Sequence, residues 1–227
     1  MSLATNEVEF EASISGHMIS NLRYADDIGL LTVTAPDRQS LVNSVDITSS
    51  GFGLRVSSAK TEVQQGGRVS QSLNISLGTT TLTQANNFVY LGGTLSCDAT
   101  RDQGITRRVG LATGIMRKFV SIWNSPDINK ETKVKLYQTL VQSILLYNAD
   151  TWTLKEGHKR KLCVTSRDRR RNIDINKELS IVSDVLMVLQ QRRLTYFGHV
   201  VRMGPEIFPS LLLYGHASGT RTRGRPI

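Results

Sequence analysis

The apolar residues of this chain change their spacing near residue 100, and this change most constrains the fold. Before it, short apolar segments alternate with polar residues and are separated by Gly, Thr and Asp, as in strands and hairpins. After it, apolar residues recur every three or four positions, as on one face of a helix. These are Ile105, Val109, Ala112, Met116, Phe119 and Trp123. The sequence therefore predicts an α+β fold.

A second helical stripe follows Pro126, which should end the first helix. Asn129 is placed to cap the next helix. The apolar residues of this stripe are Val134, Tyr137, Val141, Ile144 and Leu145. The two stripes predict an αα-hairpin whose aromatic residues and methionine lie in the core.

The remaining elements are predicted from breakers and alternation. The spacing indicates a helix from Pro36 to the glycines at 51 and 53, and a short strand at 54–56. Alternating segments at 73–77 and 87–91, closed by Gly92 and Gly93, suggest an antiparallel hairpin. Residues 155–174 are basic and without pattern, which predicts a loop; a helix is expected at 181–194, and the polar tail 219–227 is predicted to be disordered.

Two adjacent aspartates, Asp26 and Asp27, stand between two short apolar runs in ISNLRYADDIGLL. The flanks predict a strand, a tight turn and a second strand. Neighbouring carboxylates repel each other and resist burial, so such a pair is either a solvated turn or a cation site. The local pattern leaves both open.

The charge of the chain is unevenly distributed. Residues 1–100 hold five Lys or Arg against nine Asp or Glu, a net of −4, and residues 101–227 hold 23 against 10, a net of +13. An acidic part joined to a basic part is expected when one holds metal and the other a polyanion. The basic half favours nucleic acid as partner, and a merely solvated basic surface is the alternative.

Other classes find little support in the sequence. Two cysteines, Cys97 and Cys163, form no CxxC and disfavour a disulfide framework or a zinc knuckle. The four histidines are scattered and suggest no site. No apolar run reaches the length of a membrane span, and the acidic N-terminus lacks the features of a signal peptide, which predicts an intracellular protein with no membrane partner.

Six segments follow one another in a fixed order. They are NLRYADDIGLL, GFGLRVSSAKTEV, FVYLGGTLS, ITRRVGLATGIMRKF, TKVKLYQTLVQSILLYNADTW and RRLTYFGHVVRM. In this order they resemble the second half of a reverse transcriptase, more narrowly the polymerase of non-LTR (LINE-type) retrotransposons, over most of residues 14–227. The resemblance implies a partial right-hand palm at 1–97 with antiparallel strands and a helix, a helical thumb at 98–154, and a basic, partly disordered C-terminal region at 155–227.

The same resemblance implies site residues in the acidic part. Asp26 would bridge two Mg²⁺ ions, with Asp27 a weaker or indirect ligand, since adjacent side chains of a strand point in opposite directions. Tyr24 would lie at the primer end, although a packing role is equally open. Lys60 would assist the leaving pyrophosphate, and a solvated lysine is its alternative.

Further residues would contact nucleic acid. Gly92 and Gly93 match the turn that holds the primer, with a simple positive-φ turn as the alternative. Arg107, Arg108, Arg117 and Lys118 on the first thumb helix would face duplex phosphates. The implied partners are an RNA template, a DNA primer and deoxynucleoside triphosphates, and the implied place of action is the nucleus.

Parts of the family enzyme have no match in this chain. Family polymerases use a third carboxylate from an earlier palm strand, and fingers that clamp the nucleotide; Glu7, Glu9 and Glu11 lie in no matching segment. We therefore expect a truncated RNA-directed DNA polymerase that does not polymerise alone.

The alternative is a non-catalytic basic protein that binds nucleic acid. Arg223-Gly224-Arg225-Pro226 is like the core of an AT-hook, which inserts arginines into the minor groove of A·T-rich DNA. On this reading Arg221, Arg223 and Arg225 contact DNA.

Overall fold

The order of strands and helices follows the predicted change of spacing. A computed structural model describes residues 13–14, 17–67, 72–162 and 185–215. Of the strands in these ranges, all lie before residue 97, and of the helices, all but one lie after residue 101. The described residues belong to two compact units. The first comprises 13–14, 17–65, 72–85 and 200–215; the second comprises 66–67, 86–162 and 185–199.

The first unit contains small paired strands around one long helix. Strands β1 (Ser13–Ile14) and β2 (His17–Met18) pair antiparallel, as do β3 (Asn21–Tyr24) and β4 (Asp27–Leu30). Helix α1 spans Ala35–Gly51. The other strands are β5 (Glu62–Val63), β6 (Ser76–Leu77), β7 (Thr80–Thr81) and β8 (Thr83–Gln84); β5 pairs parallel with β8 and β6 antiparallel with β7.

Helix α1 begins and ends as its sequence predicts. The Thr34 side chain accepts a hydrogen bond from the Asp37 amide, and Pro36 lies in the first turn, where its missing N–H is tolerated. Gly53, just beyond the helix, has φ +72°. Val42 of α1 joins a small apolar core with Val63, Ile75, Leu77 and Leu82.

The second unit is a hairpin followed by helices. Strands β9 (Asn87–Tyr90) and β10 (Gly93–Ser96) pair antiparallel. Helices α2 (Asp102–Lys118) and α3 (Val120–Asn124) precede α4 (Lys130–Leu136), which continues through a π-helical segment (Tyr137–Gln142) into α5 (Ser143–Leu145). A 3₁₀ turn (Ala149–Thr151), α6 (Glu156–Leu162) and α7 (Val185–Val201) follow, and the last two residues of α7 belong to the first unit. Helix α8 (Phe208–Tyr214) belongs to the first unit.

Both predicted helical stripes are confirmed. Ile105 and Ala112 of the first stripe and Tyr137, Val141 and Leu145 of the second are buried in one cluster. The Asn129 side chain accepts a hydrogen bond from the Thr132 amide, as a capping residue should.

Two predictions about strands are wrong. Residues 54–56 form no strand, and the strand in this region is Glu62–Val63. The segments 73–77 and 87–91 do not pair: Ser76–Leu77 pairs with Thr80–Thr81, and Asn87–Tyr90 pairs with Gly93–Ser96. The two-residue turns Gly78–Thr79 and Leu91–Gly92 each close a short hairpin, which costs less entropy than joining strands across residues 78–86.

The predicted loop after residue 155 begins instead with helix α6. The sequence of α6 is basic, but His158 and Leu162 lie four residues apart and therefore on the same face of the helix. Both are buried, so these two residues form the face that packs against the protein. Cys163, the rest of the predicted loop and the tail 219–227 lie outside the described residues, as does the start of the helix expected at 181–194.

The two compact units group residues differently from the predicted functional domains. Hairpin Asn87–Ser96 belongs to the helical unit, whereas the predicted palm includes it up to residue 97. The predicted boundaries at 97 and 154 separate functional parts, the palm, the thumb and the C-terminal region, and they stay a prediction. Among the described helices, none has the length and apolar character needed to cross a membrane.

Candidate functional site

Asp26 and Asp27 lie at the tight turn between β3 and β4, which together are called the first hairpin below. Tyr24 pairs with Asp27 across the two-residue turn Ala25–Asp26. Ala25 has φ +51°, a conformation that costs a residue with a side chain about 1–2 kcal/mol. Both aspartates and Tyr24 are exposed. The turn therefore presents two adjacent carboxylates to solvent.

These carboxylates supply only part of a magnesium site. Their oxygens suit a hard cation such as Mg²⁺. Among the described residues, however, no group of three or more His, Cys, Asp or Glu side chains could hold a metal ion. The described chain therefore does not fit a complete two-metal site. Lys60, the other predicted catalytic residue, is exposed in a turn of the same unit.

Strands β9 and β10, called the second hairpin below, are also joined by a two-residue turn, Leu91–Gly92. Tyr90 pairs with Gly93 across it, and both turn residues have positive φ, +47° and +73°. Two successive positive φ values are the requirement of the turns that best suit hairpins, and glycine adopts them without strain. The positive φ of the turn thus accounts in part for a glycine at position 92.

Side chains of α2 and of the turn after α5 hold this second turn. The Gly92 carbonyl accepts hydrogen bonds from Arg108 and, at 3.4 Å, from Arg107. The Tyr147 hydroxyl donates to the Leu91 carbonyl at 3.2 Å. The Arg108 guanidinium carbon lies 4.3 Å from the centre of the Tyr147 ring, which is a cation–π contact. The turn is therefore fixed to α2 and to the segment after α5.

A larger residue at either glycine would require neighbouring side chains to move. A Cβ at Gly92 would lie 2.9 Å from both Arg108 Nη2 and Tyr147 Cε1, and one at Gly93 would collide with the Asn148 amide group. Asn148 itself has φ +60°, which asparagine tolerates. The glycines that were predicted to approach a phosphate are thus in close contact with protein side chains.

The basic residues of α2 differ in exposure. Arg107, Arg117 and Lys118 are exposed, whereas Arg108 is partly buried. Burial lowers the pKa of the Arg108 guanidinium, and the charge of Arg107 acts in the same direction. An arginine remains charged despite such a shift. The three exposed residues can reach a phosphate; Arg108 already has protein partners.

A hydrogen bond between His158 and Asp102 at the start of α2 was not predicted from the sequence. The ring of His158, which is 4% exposed, contacts the Asp102 carboxylate through Nε2. The Lys155 amide donates to His158 Nδ1 at 3.2 Å, so Nε2 carries the proton. This hydrogen bond from His158 is the main reason that the pKa of Asp102 lies below its usual value. The pair joins α2 to α6.

The arginines predicted to contact DNA from the C-terminal tail are not among the described residues. These are Arg221, Arg223 and Arg225. Tyr147 and Asn148, which hold the second turn, were not predicted as site residues. Their sequence signal is weak: an aromatic residue and an asparagine at the end of an apolar helix are usually core and cap.

The chain is similar to a known protein. This relative is a protein of Caenorhabditis elegans described as uncharacterized and transposon-derived, 26% identical over 210 residues, with 83% of this chain and 74% of the relative covered. No protein-family model and no solved structure matches the chain. The likeness fits a transposable-element origin.

Proposed function

We propose that this chain is part of a reverse transcriptase of the non-LTR retrotransposon class and that it binds template and primer. The observation that carries the proposal is the exposed turn with Asp26 and Asp27 side by side, within six segments in the family's order. The transposon-derived relative supports the same origin. The basic α2 supports a nucleic-acid partner, because exposed Arg and Lys contact phosphates irrespective of sequence.

In this proposal Asp26 and Asp27 are the metal-binding carboxylates of the chain, and the described residues do not complete a two-metal site. Tyr24, 65% exposed on the strand beside Asp27, is available to a primer end. Arg107, Arg117 and Lys118 contact the backbone of the RNA–DNA duplex.

Manganese binding tests the carboxylate pair. Mn²⁺ added to the full chain should broaden the amide NMR signals of residues 24–28, and the double variant Asp26→Asn with Asp27→Asn should abolish this. The variant Asp98→Asn, which removes an exposed carboxylate of the second unit, should leave the broadening unchanged. Broadening that survives the double variant would refute the assignment.

Primer extension on an RNA template with Mg²⁺ tests the proposed incompleteness. We expect no extension by the chain alone. Extension that is lost in Asp26→Ala would show instead that a further acid completes the site.

A further inference from the structure

The neighbouring residues Arg107 and Arg108 have the same charge but different surroundings. Arg107 is exposed and donates a 3.4 Å hydrogen bond to the Gly92 carbonyl. Arg108 is partly buried, makes the closer hydrogen bond to the same carbonyl, and lies against the Tyr147 ring. Sequence alone treats the two as equivalent.

We propose that the two arginines have separate roles: Arg108 and Tyr147 are positioning residues that fix the Leu91–Gly92 turn on α2, and Arg107 contacts a nucleic-acid phosphate. The assignment of Arg107 rests on the proposed function. The assignment of Arg108 and Tyr147 rests on the contacts within the second unit.

The contacts of Arg108 need the shape of a guanidinium. Its planar group donates to the Gly92 carbonyl while its face lies on the Tyr147 ring, and lysine cannot do both. The Tyr147 hydroxyl, bonded to the Leu91 carbonyl, holds the other residue of the turn. Both turn carbonyls thus have donors from the helical part of the unit.

The contact expected of Arg107 needs only charge. A phosphate accepts an ammonium group as well as a guanidinium when the contact is single and exposed. Substitution by lysine therefore separates the two roles: it should preserve the function of Arg107 and abolish that of Arg108.

The experiment uses the full chain and four matched variants: Arg107→Gln, Arg107→Lys, Arg108→Gln and Arg108→Lys. The first measurement is amide hydrogen exchange of the hairpin Asn87–Ser96 without nucleic acid. Both Arg108 variants should exchange faster in the hairpin, by about tenfold, while both Arg107 variants match the wild type. Tyr147→Phe, which keeps the ring and removes the hydroxyl, should show a smaller increase.

The second measurement is affinity for an RNA–DNA duplex as a function of salt. Arg107→Gln should lower the slope of log affinity against log salt by about 0.7–0.9, the loss of one phosphate contact, and Arg107→Lys should restore it. Arg108→Lys keeps the charge, so its hairpin exchange should change while its salt slope does not.

Two results would overturn the proposal. One is wild-type hairpin protection in Arg108→Lys, and the other is equal behaviour of Arg107→Gln and Arg108→Gln in both measurements. If the wild type binds no duplex, the proposed function and the role of Arg107 fail together, and the exchange data still decide the role of Arg108.

Discussion

The two main hairpins of this chain share one pattern of pairing across a two-residue turn and differ in turn conformation and in surroundings. Tyr24 pairs with Asp27 across Ala25–Asp26, and Tyr90 pairs with Gly93 across Leu91–Gly92. In both, the first turn residue is not glycine and has positive φ, +51° and +47°. Gly92, the second turn residue of one, has φ +73°, whereas Asp26, the second turn residue of the other, has no positive φ. The first turn is exposed to solvent, whereas both carbonyls of the second accept hydrogen bonds from side chains, Arg108 of α2 and Tyr147 of the turn after α5.

The comparison separates what a hairpin sequence determines from what its surroundings determine. A two-residue turn between short strands forms from local pattern, but an isolated two-stranded hairpin is marginally stable. Contacts with Arg108 and Tyr147 anchor the second turn, whereas the residues of the first turn are exposed to solvent. The exposed turn offers carboxylates for chemistry, and the anchored turn offers a fixed backbone.

Of the positions compared in the two hairpins, Gly92 should be the one whose substitution lowers the free energy of unfolding most. Gly92→Ala places a Cβ at 2.9 Å from Arg108 and Tyr147 at a φ of +73°, so we expect a loss of about 2–4 kcal/mol in stability. Gly78→Ala is the matched control: φ is +57°, nothing lies within 4 Å, and about 1 kcal/mol should be lost.

Urea unfolding measures both glycine variants. Trp123 and Trp152 lie in the second unit, so their fluorescence reports the effect of Gly92→Ala, and circular dichroism reports Gly78→Ala. Equal losses in the two variants would show that the second turn is not anchored by its neighbours.

The two tyrosines provide the next comparison. Tyr147→Phe removes the hydrogen bond to the Leu91 carbonyl and should cost about 0.5–1.5 kcal/mol by urea unfolding. Tyr24→Phe, on the exposed hairpin, should change stability by less than about 0.5 kcal/mol. A Tyr24 variant as costly as the Tyr147 variant would contradict the difference between the hairpins.

The exposed turn carries strain that glycine would remove. Ala25→Gly should stabilise the first hairpin by up to about 1 kcal/mol, because Ala25 has φ +51°. Circular dichroism during thermal unfolding measures the change. A destabilised variant would mean that the Ala25 methyl group makes contacts that outweigh the strain.

Acid should have the smallest effect, acting through the start of α2. The pKa of Asp102 is lowered in the folded chain by its hydrogen bond from His158, so this pair stabilises the fold above the usual carboxylate pKa of about 4 and loses its effect as pH falls below it. The Asp102 side chain is 50% exposed, and solvent screens the pair. Asp102→Asn should flatten the acid limb of a stability–pH curve; an unchanged limb would contradict this.

Periodic patterns carried most of the fold information. The stripe at Ile105 and Ala112, the Asn129 cap and the turn at Asp26 could all be predicted, because each depends on residues close in sequence. The contacts of Tyr147 with Leu91 and of His158 with Asp102 each join residues about 56 positions apart, and no local pattern specifies them. Helix α6 was missed because its inner face consists of only two residues.

Amide hydrogen exchange of the wild-type chain tests the central difference most directly. The measurement compares the amides at Tyr24–Asp27 with those at Tyr90–Gly93 under the same conditions. We predict slower exchange at Tyr90–Gly93, because Arg108 and Tyr147 donate hydrogen bonds to the carbonyls of that turn, whereas the residues of the other turn are exposed. Equal exchange, or slower exchange at Tyr24–Asp27, would contradict the account of one exposed and one anchored turn.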